Sequence, residues 1–267
     1  MNLEEICKGV IEVCRTTAEF IKAEANKIRQ SDIETKGKHD YVTYVDKTSE
    51  KMLLEVLQTL LPEAGFIAEE NTISTRGEQY NWIVDPLDGT TNFIHGVPCY
   101  CISVALASKQ EVILGVIYEI NLQECFYAWK SGGAFLNGNK IKVSETKLMD
   151  ESLFATGFPY YDYHWLDEYI ELFKYMMIHS RGVRRLGSAA ADMAYVACGR
   201  FDGFYEYGLK PWDVAAGICI IKEAGGKVAD FAGGNDYLFG GELVSTNSHI
   251  FDSMLGVCKS HFKSIQK

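Results

Sequence analysis

The stretch Trp82-Ile83-Val84-Asp85-Pro86-Leu87-Asp88-Gly89-Thr90-Thr91-Asn92-Phe93 joins an apolar, strand-like run to a turn with two carboxylates three residues apart. Pro86 stiffens the backbone between Asp85 and Asp88, so both side chains can face one point. Hard cations such as magnesium bind oxygen, and the two carboxylates with the Leu87 carbonyl make a partial shell that water would complete. Asp, Pro and Gly are also ordinary turn residues, so the acids alone fit a plain turn as well. The continuation shifts the balance. Gly89 lets an anion approach the backbone, and the amides of Gly89, Thr90 and Thr91 can cradle phosphate oxygens if a helix starts there.

Outward from this turn, further acids stand where they could complete such a site. Glu69-Glu70 closes the β-type run Gly65-Phe66-Ile67-Ala68, and Asp213 opens a helical pattern after Pro211-Trp212. Each has a plainer reading, Glu69-Glu70 as a solvated pair at a loop start and Asp213 as a helix-capping residue. Before them, apolar positions at helical spacing predict a long helix over 3–28, a polar loop over 32–41 and a second helix over 46–61 that stops at Pro62. After the turn, strand patterns over 101–107, 112–120, 125–129 and 140–143 follow one another through tight connections, including Asn137-Gly138-Asn139, and are expected to pair antiparallel. The C-terminal half alternates: helices near 166–178, 189–197 and 213–224, strands near 203–207 and 227–230.

Composition narrows the class. With 47% hydrophobic and 23% charged residues in 267, the chain reads as an ordinary globular protein with a sizeable core. A formal net charge of −10 disfavours a general nucleic-acid surface, and an acidic protein that handles phosphates needs a local cation, most simply a divalent metal. No apolar run is long enough to span a membrane and Met1 to Glu5 lacks a basic start, so a cytoplasmic protein is expected. The eight cysteines lie among apolar neighbours and read as reduced, buried thiols; the six histidines, His39 and His95 included, show no ligand spacing.

The 82–93 stretch resembles the signature of the inositol monophosphatase family, within the wider lithium-sensitive, magnesium-dependent phosphatases. The likeness extends to Phe66-Ile67-Ala68-Glu69-Glu70, to Arg184-Arg185-Leu186-Gly187-Ser188-Ala189-Ala190, to Tyr205 through Asp213 and to Gly225-Gly226, in the family's order over nearly the whole chain. One departure is Ala68, where many members carry Gly. The resemblance implies an α+β fold, a layered αβαβα sandwich with an antiparallel sheet and a second mixed sheet between helices. It implies one such body over 1–267, with the metal and phosphate motif in 1–145 and the substrate segment and last metal ligand in 146–267.

Carried over residue by residue, it implies Mg2+ ligation by Glu69, Asp85, the Leu87 carbonyl, Asp88 and Asp213. Thr90 with Asp46 would orient the attacking water beside Glu70, and phosphate would rest on Gly89, Thr90 and Thr91. Gly187, Ser188, Ala189 and Glu206, with Asp88 and Asp213, would contact substrate. The implied activity is hydrolysis of inositol monophosphate or a related polyol phosphate by a lithium-sensitive homodimer. Fructose 1,6-bisphosphate, histidinol phosphate and adenosine 3′,5′-bisphosphate are the alternative substrates. The nucleotide enzymes usually carry Lys where Thr91 stands, and Glu206 favours a polyol ring. A regulatory binding protein is the reading from another class; it would not require intact ligands.

Overall fold

A computed structural model describes residues 1–262 except 26, 38, 39, 73, 74 and 161. In chain order the elements are α1 (Leu3–Glu24), β1 (Ile33–Gly37), β2 (Asp40–Thr43), α2 (Tyr44–Leu60), β3 (Gly65–Ala68), β4 (Tyr80–Asp88), α3 (Thr90–His95), β5 (Cys101–Ser108), β6 (Glu111–Glu119), β7 (Glu124–Trp129), β8 (Gly133–Leu136) and β9 (Asn139–Ile141). They continue with β10 (Leu153–Thr156), α4 (Leu166–Ile178), β11 (Gly182–Arg184), α5 (Ala189–Ala197), β12 (Gly203–Tyr207), α6 (Pro211–Glu223), β13 (Lys227–Ala229), β14 (Glu242–Thr246) and α7 (Phe251–His261). Strands β3 to β9 form a seven-stranded sheet in sequence order, antiparallel except for the β3–β4 pair. The second sheet runs β11-β10-β12-β14-β13 and is mixed: β10 lies parallel to β11 and β12, while β14 is antiparallel to β12 and β13.

The period-two pattern of the strands builds the layers. On β5, Ile102, Val104 and Leu106 face α1 and α2, while Cys101, Ala105 and Ala107 face α5 and α6. Small residues on that second face let α6 come close: a Cβ at Gly115 of β6 would lie 2.5 Å from the Ala216 carbonyl. The other side of α5 and α6 meets Ala155, Phe204 and Leu243 of the second sheet, whose outer face (Phe154, Tyr205, Tyr207, Val244) packs on α4 and α7. The result is α1/α2, sheet, α5/α6, sheet, α4/α7. The fold is α+β and layered αβαβα, as the resemblance implied.

Several boundaries differ from the expectations. Helix α1 closes at Glu24, and Ala25 and Ile28 keep their apolar packing from the turn beyond. The polar stretch 32–41 is not simply a loop. Ile33–Gly37 and Asp40–Thr43 pair as an antiparallel hairpin, because Ile33, Thr35, Tyr41, Val42 and Thr43 favour extended backbone despite their polar neighbours; Lys38 and His39 lie outside the described residues. Strand β4 runs on to Asp88 with its register broken between Asp85 and Asp88, where Pro86 cannot donate to the ladder. All eight cysteines are free, but Cys99 and Cys198 are only partly buried, which corrects the expectation for those two. Among the described residues no helix is long and apolar enough to cross a membrane.

Candidate active site

Strand β4 is second in its sheet, and its pairing with β5 is broken between Asp85 and Asp88, which stay opposite Ser103 and Cys101 while Pro86 and Leu87 between them have no partner position. Gly89 follows with φ 97°, a left-handed conformation that L side chains rarely adopt, and a Cβ there would lie 3.0 Å from the Cys99 carbonyl. Helix α3 starts at once, so the chain passes from metal-type acids to helix amides within two residues. Asn92 of α3 donates to the carbonyls of Cys99 (2.7 Å) and Leu186 (2.8 Å), tying this turn to the segment before α5. That segment then contributes Ser188, the N-cap of α5, whose hydroxyl donates to Asp88 Oδ2 at 2.7 Å beside the Ala190 N–H at 2.7 Å.

A cavity of about 760 Å³ opens over this meeting point. Glu69, Asp85, Leu87, Asp88 and Asp213 line it, as do Gly89, Thr90 and Thr91, and Gly187, Ser188, Ala189 and Glu206. Two expected residues stand behind it. Asp46 does not line the cavity: it lies under Thr90, whose hydroxyl is 2.9 Å from Asp46 Oδ1 and 3.0 Å from the Leu87 carbonyl. Glu70 is partly buried and outside the lining, although its neighbours Glu69 and Asn71 belong to it. His95 is also outside the lining.

The electrostatics of the lining are those of a site short of positive charge. Asp85 is 2% exposed, and its carboxyl is pushed well above the usual range, first by burial and then by Glu69, Asp88 and Asp213. Asp213 is raised by burial and by Asp88, although the Lys210 N–H donates to it at 2.7 Å. Asp88 sits at about 6: burial raises it, while the Ser188 hydroxyl, the Ala190 amide and the Arg185 charge pull it back. Glu206 is pushed up to about 8 by burial, against the pull of Arg185. Asp46 is raised by burial, with the Thr43 and Thr90 hydrogen bonds opposing.

Four carboxylates so placed repel one another unless a cation or protons neutralise them. Among the described residues, no three His, Cys, Asp or Glu side chains already enclose a single point as a held ion would require; the acids ring the cavity instead. As a donor set they suit a hard divalent cation: carboxylate and carbonyl oxygens with no sulfur or imidazole, leaving positions for water.

Sequence reasoning passed over several residues. Arg185 lines the cavity, bonds the Tyr160 hydroxyl and lies 5.5 Å from the Phe158 ring centroid, so the lining carries a cation whose charge reaches Asp88 and Glu206. Asp192, in the lining and 1% exposed, is the one charged residue of the run Ala189–Ala197, a signal that periodicity alone had offered. Glu50 lies one helical turn after Asp46 on the buried face of α2, a place that spacing gives, while its partners lie 20 and more residues away.

The family model for the inositol monophosphatase family matches residues 2–261. The chain belongs to that family. Among its members, the chain is 38% identical over 256 residues to a Nus factor SuhB from Pseudomonas aeruginosa, covering 94% of each protein. It is 36% identical over 251 residues to an inositol-1-monophosphatase from Mesorhizobium japonicum, again covering 94% of each. A solved IMPase structure from Thermotoga maritima superposes with a TM-score of 0.85 at 35% identity, covering 96% of this chain and 97% of that one. The family assignment therefore agrees with the fold and with the turn from which the sequence reading began.

Proposed function

We propose that the protein hydrolyses inositol monophosphate, or a related small polyol phosphate, to the alcohol and inorganic phosphate with the help of Mg2+. The observation that carries this reading is the ring of Glu69, Asp85, Asp88 and Asp213 around one cavity, with Asp85 held above its ordinary range by burial and by Glu69, Asp88 and Asp213, and Asp213 by burial and by Asp88. Such a ring is costly unless a cation completes it. These four side chains and the Leu87 carbonyl would hold the metal. Bound there, magnesium supplies Lewis-acid charge for the phosphoryl oxygens and lowers the pKa of a coordinated water.

The chain's own groups do the rest. With its proton directed to Asp46 Oδ1 or the Leu87 carbonyl, Thr90 Oγ1 is left as an acceptor and can take a hydrogen bond from the attacking water. Asp46 cannot turn away, because the Thr43 N–H (2.8 Å) and hydroxyl (2.6 Å) hold its other oxygen. Gly89, Thr90 and Thr91 line the cavity where α3 begins, and backbone amides at such a start would suit phosphate oxygens. The Gly187–Ala189 segment beside Gly89, together with Glu206, would fit hydroxyls of a polyol, and the buried carboxyl of Glu206 would give them a strong acceptor when ionised. Inhibition by lithium belongs to the same reading, as a small cation competing for the acid ring.

The relative called a Nus factor favours a second reading, a regulatory protein. That role alone would not need a full ring of acids or the Thr90–Asp46 pair, so catalysis is the reading preferred. Phosphate release from inositol 1-phosphate, glycerol 2-phosphate, fructose 1,6-bisphosphate, histidinol phosphate and adenosine 3′,5′-bisphosphate, each with and without Mg2+, tests it. Metal-dependent release with the inositol ester preferred is expected; no release across the panel would end the claim.

A further inference from the structure

Helix α2 lies beneath the site and carries two buried acids one turn apart, Asp46 and Glu50. Asp46 holds Thr90, as described above. Glu50 is wholly buried and takes three hydrogen bonds from one short loop: the Glu70 N–H reaches Oε2 at 2.7 Å, while the Thr72 N–H (2.9 Å) and hydroxyl (2.6 Å) reach Oε1. A buried carboxylate is tolerable only when its lone pairs are met, and here all three donors come from the loop that begins with Glu69. Glu69 itself donates its backbone N–H to the Val84 carbonyl at 3.2 Å. The residue whose carboxyl lies beside that of Asp85 is thus pinned on both sides, by β4 before it and by Glu50 after it.

We propose that Glu50 is a positioning residue for metal binding: through the Glu70 and Thr72 backbone it fixes where Glu69 presents its carboxylate to Asp85. The inference rests on the metal-phosphatase reading above. Helix α2 then acts as a bracket, with Asp46 holding the turn that bears Thr90 and Glu50 holding the loop that bears Glu69. Neither acid needs to touch substrate. Glu50 differs from a core residue that merely fills space, because its hydrogen bonds run to a loop rather than to neighbouring helices or strands. A glutamine has the same length and shape but turns an NH2 toward one of the three donors, so one side of the loop must let go.

The test compares wild type with Glu50→Gln by calorimetric titration of Mg2+ into the full-length protein, by thermal melting without metal, and by steady-state phosphate release from inositol 1-phosphate. Partners that hold a ligating group in place are commonly worth 10- to 100-fold in metal affinity or activity. Glu50→Gln is therefore expected to weaken Mg2+ binding by roughly that factor and to lower turnover at limiting Mg2+, with KM for the ester little changed and excess Mg2+ restoring much of the rate. A variant that melts earlier but binds Mg2+ as wild type does would make Glu50 merely structural and overturn the proposal. Should Glu50→Gln fail to fold, Thr72→Val carries the same test: it removes one donor and should weaken Mg2+ binding several-fold, and unchanged binding overturns the proposal. The calorimetry separates two failures: wild type that binds Mg2+ but releases no phosphate sinks the catalytic reading and leaves the role of Glu50 to be measured.

Discussion

Replacing Gly157 by alanine should convert the proposed polyol specificity into a measurable loss. Gly157 follows β10, which runs parallel to β12 in register Thr156↔Tyr205, so it lies beside Glu206. A methyl group built on Gly157 overlaps the Glu206 carboxyl, and its three nearest atoms are all in that carboxyl. The backbone at Gly157 is not in the left-handed region, so the added atom brings no backbone strain, and the clash falls on the movable end of one side chain. The carboxyl must withdraw by roughly 1 Å or more, a displacement that can cost about a hundredfold when it misplaces a binding group. Above about pH 8, where Glu206 is ionised, a hydrogen bond to it is worth about 1.5–3 kcal/mol, which gives a fall of about 10- to 150-fold in kcat/KM for inositol 1-phosphate. For p-nitrophenyl phosphate, which has no ring hydroxyls, the change should be small. Steady-state phosphate release on both esters with Mg2+, with thermal melting as a folding control, reads this directly. Equal losses on both esters, or no loss on either, would refute the assignment of Glu206 to the alcohol.

Other perturbations follow from the same geometry. Asp85→Asn removes a charge raised by burial and by three neighbouring acids, so in metal-free buffer it should melt higher than wild type while losing the stabilisation that added Mg2+ gives; a lower metal-free melting temperature counts against the acid ring. Thr90→Val keeps the shape but removes the hydroxyl bonded to Asp46, and turnover should fall by about 10²- to 10⁴-fold with KM near wild type, as for loss of a group that guides proton transfer. It should also cost about 1–3 kcal/mol of stability, because Asp46 Oδ1 loses its donor inside the protein. Glu206 holds its proton more tightly folded, at about 8, than unfolded, so metal-free stability should fall as pH rises from about 4.5 to about 8. At about 1.36 kcal/mol per pH unit the ceiling on that fall is about 5 kcal/mol. Urea unfolding across this range should show a shallower fall in Glu206→Gln than in wild type, the remaining fall belonging to Asp85, Asp88 and Asp213, which are raised as well.

Much of this was legible because the informative residues are local. Asp85, Pro86, Asp88 and Gly89 declare a turn and an oxygen-rich site within five positions, and the apolar runs of β5 and β6, joined by a tight connection, declare neighbouring antiparallel strands. The hairpin at 33–43 was not legible, since its strands are short and mostly polar and they pair only with each other. The mixed second sheet depends on β10, β12 and β14 meeting from distant parts of the chain, which no local period encodes. In the site, the acids could be named, but not that Asp46 stands behind Thr90 instead of facing the cavity. Glu50 and Arg185 were missed for a related reason: their roles come from what the fold brings to them, a loop for one and a ring of acids for the other.

The proposed function stands on the ring of acids holding Mg2+ for phosphate-ester hydrolysis. The most direct measurement is phosphate release from inositol 1-phosphate as Mg2+ is titrated, for wild type and Asp85→Asn side by side. Release should rise from zero with Mg2+ in wild type and be lower by orders of magnitude in the folded variant. Release that needs no divalent metal, or that survives Asp85→Asn at the wild-type rate, would contradict it.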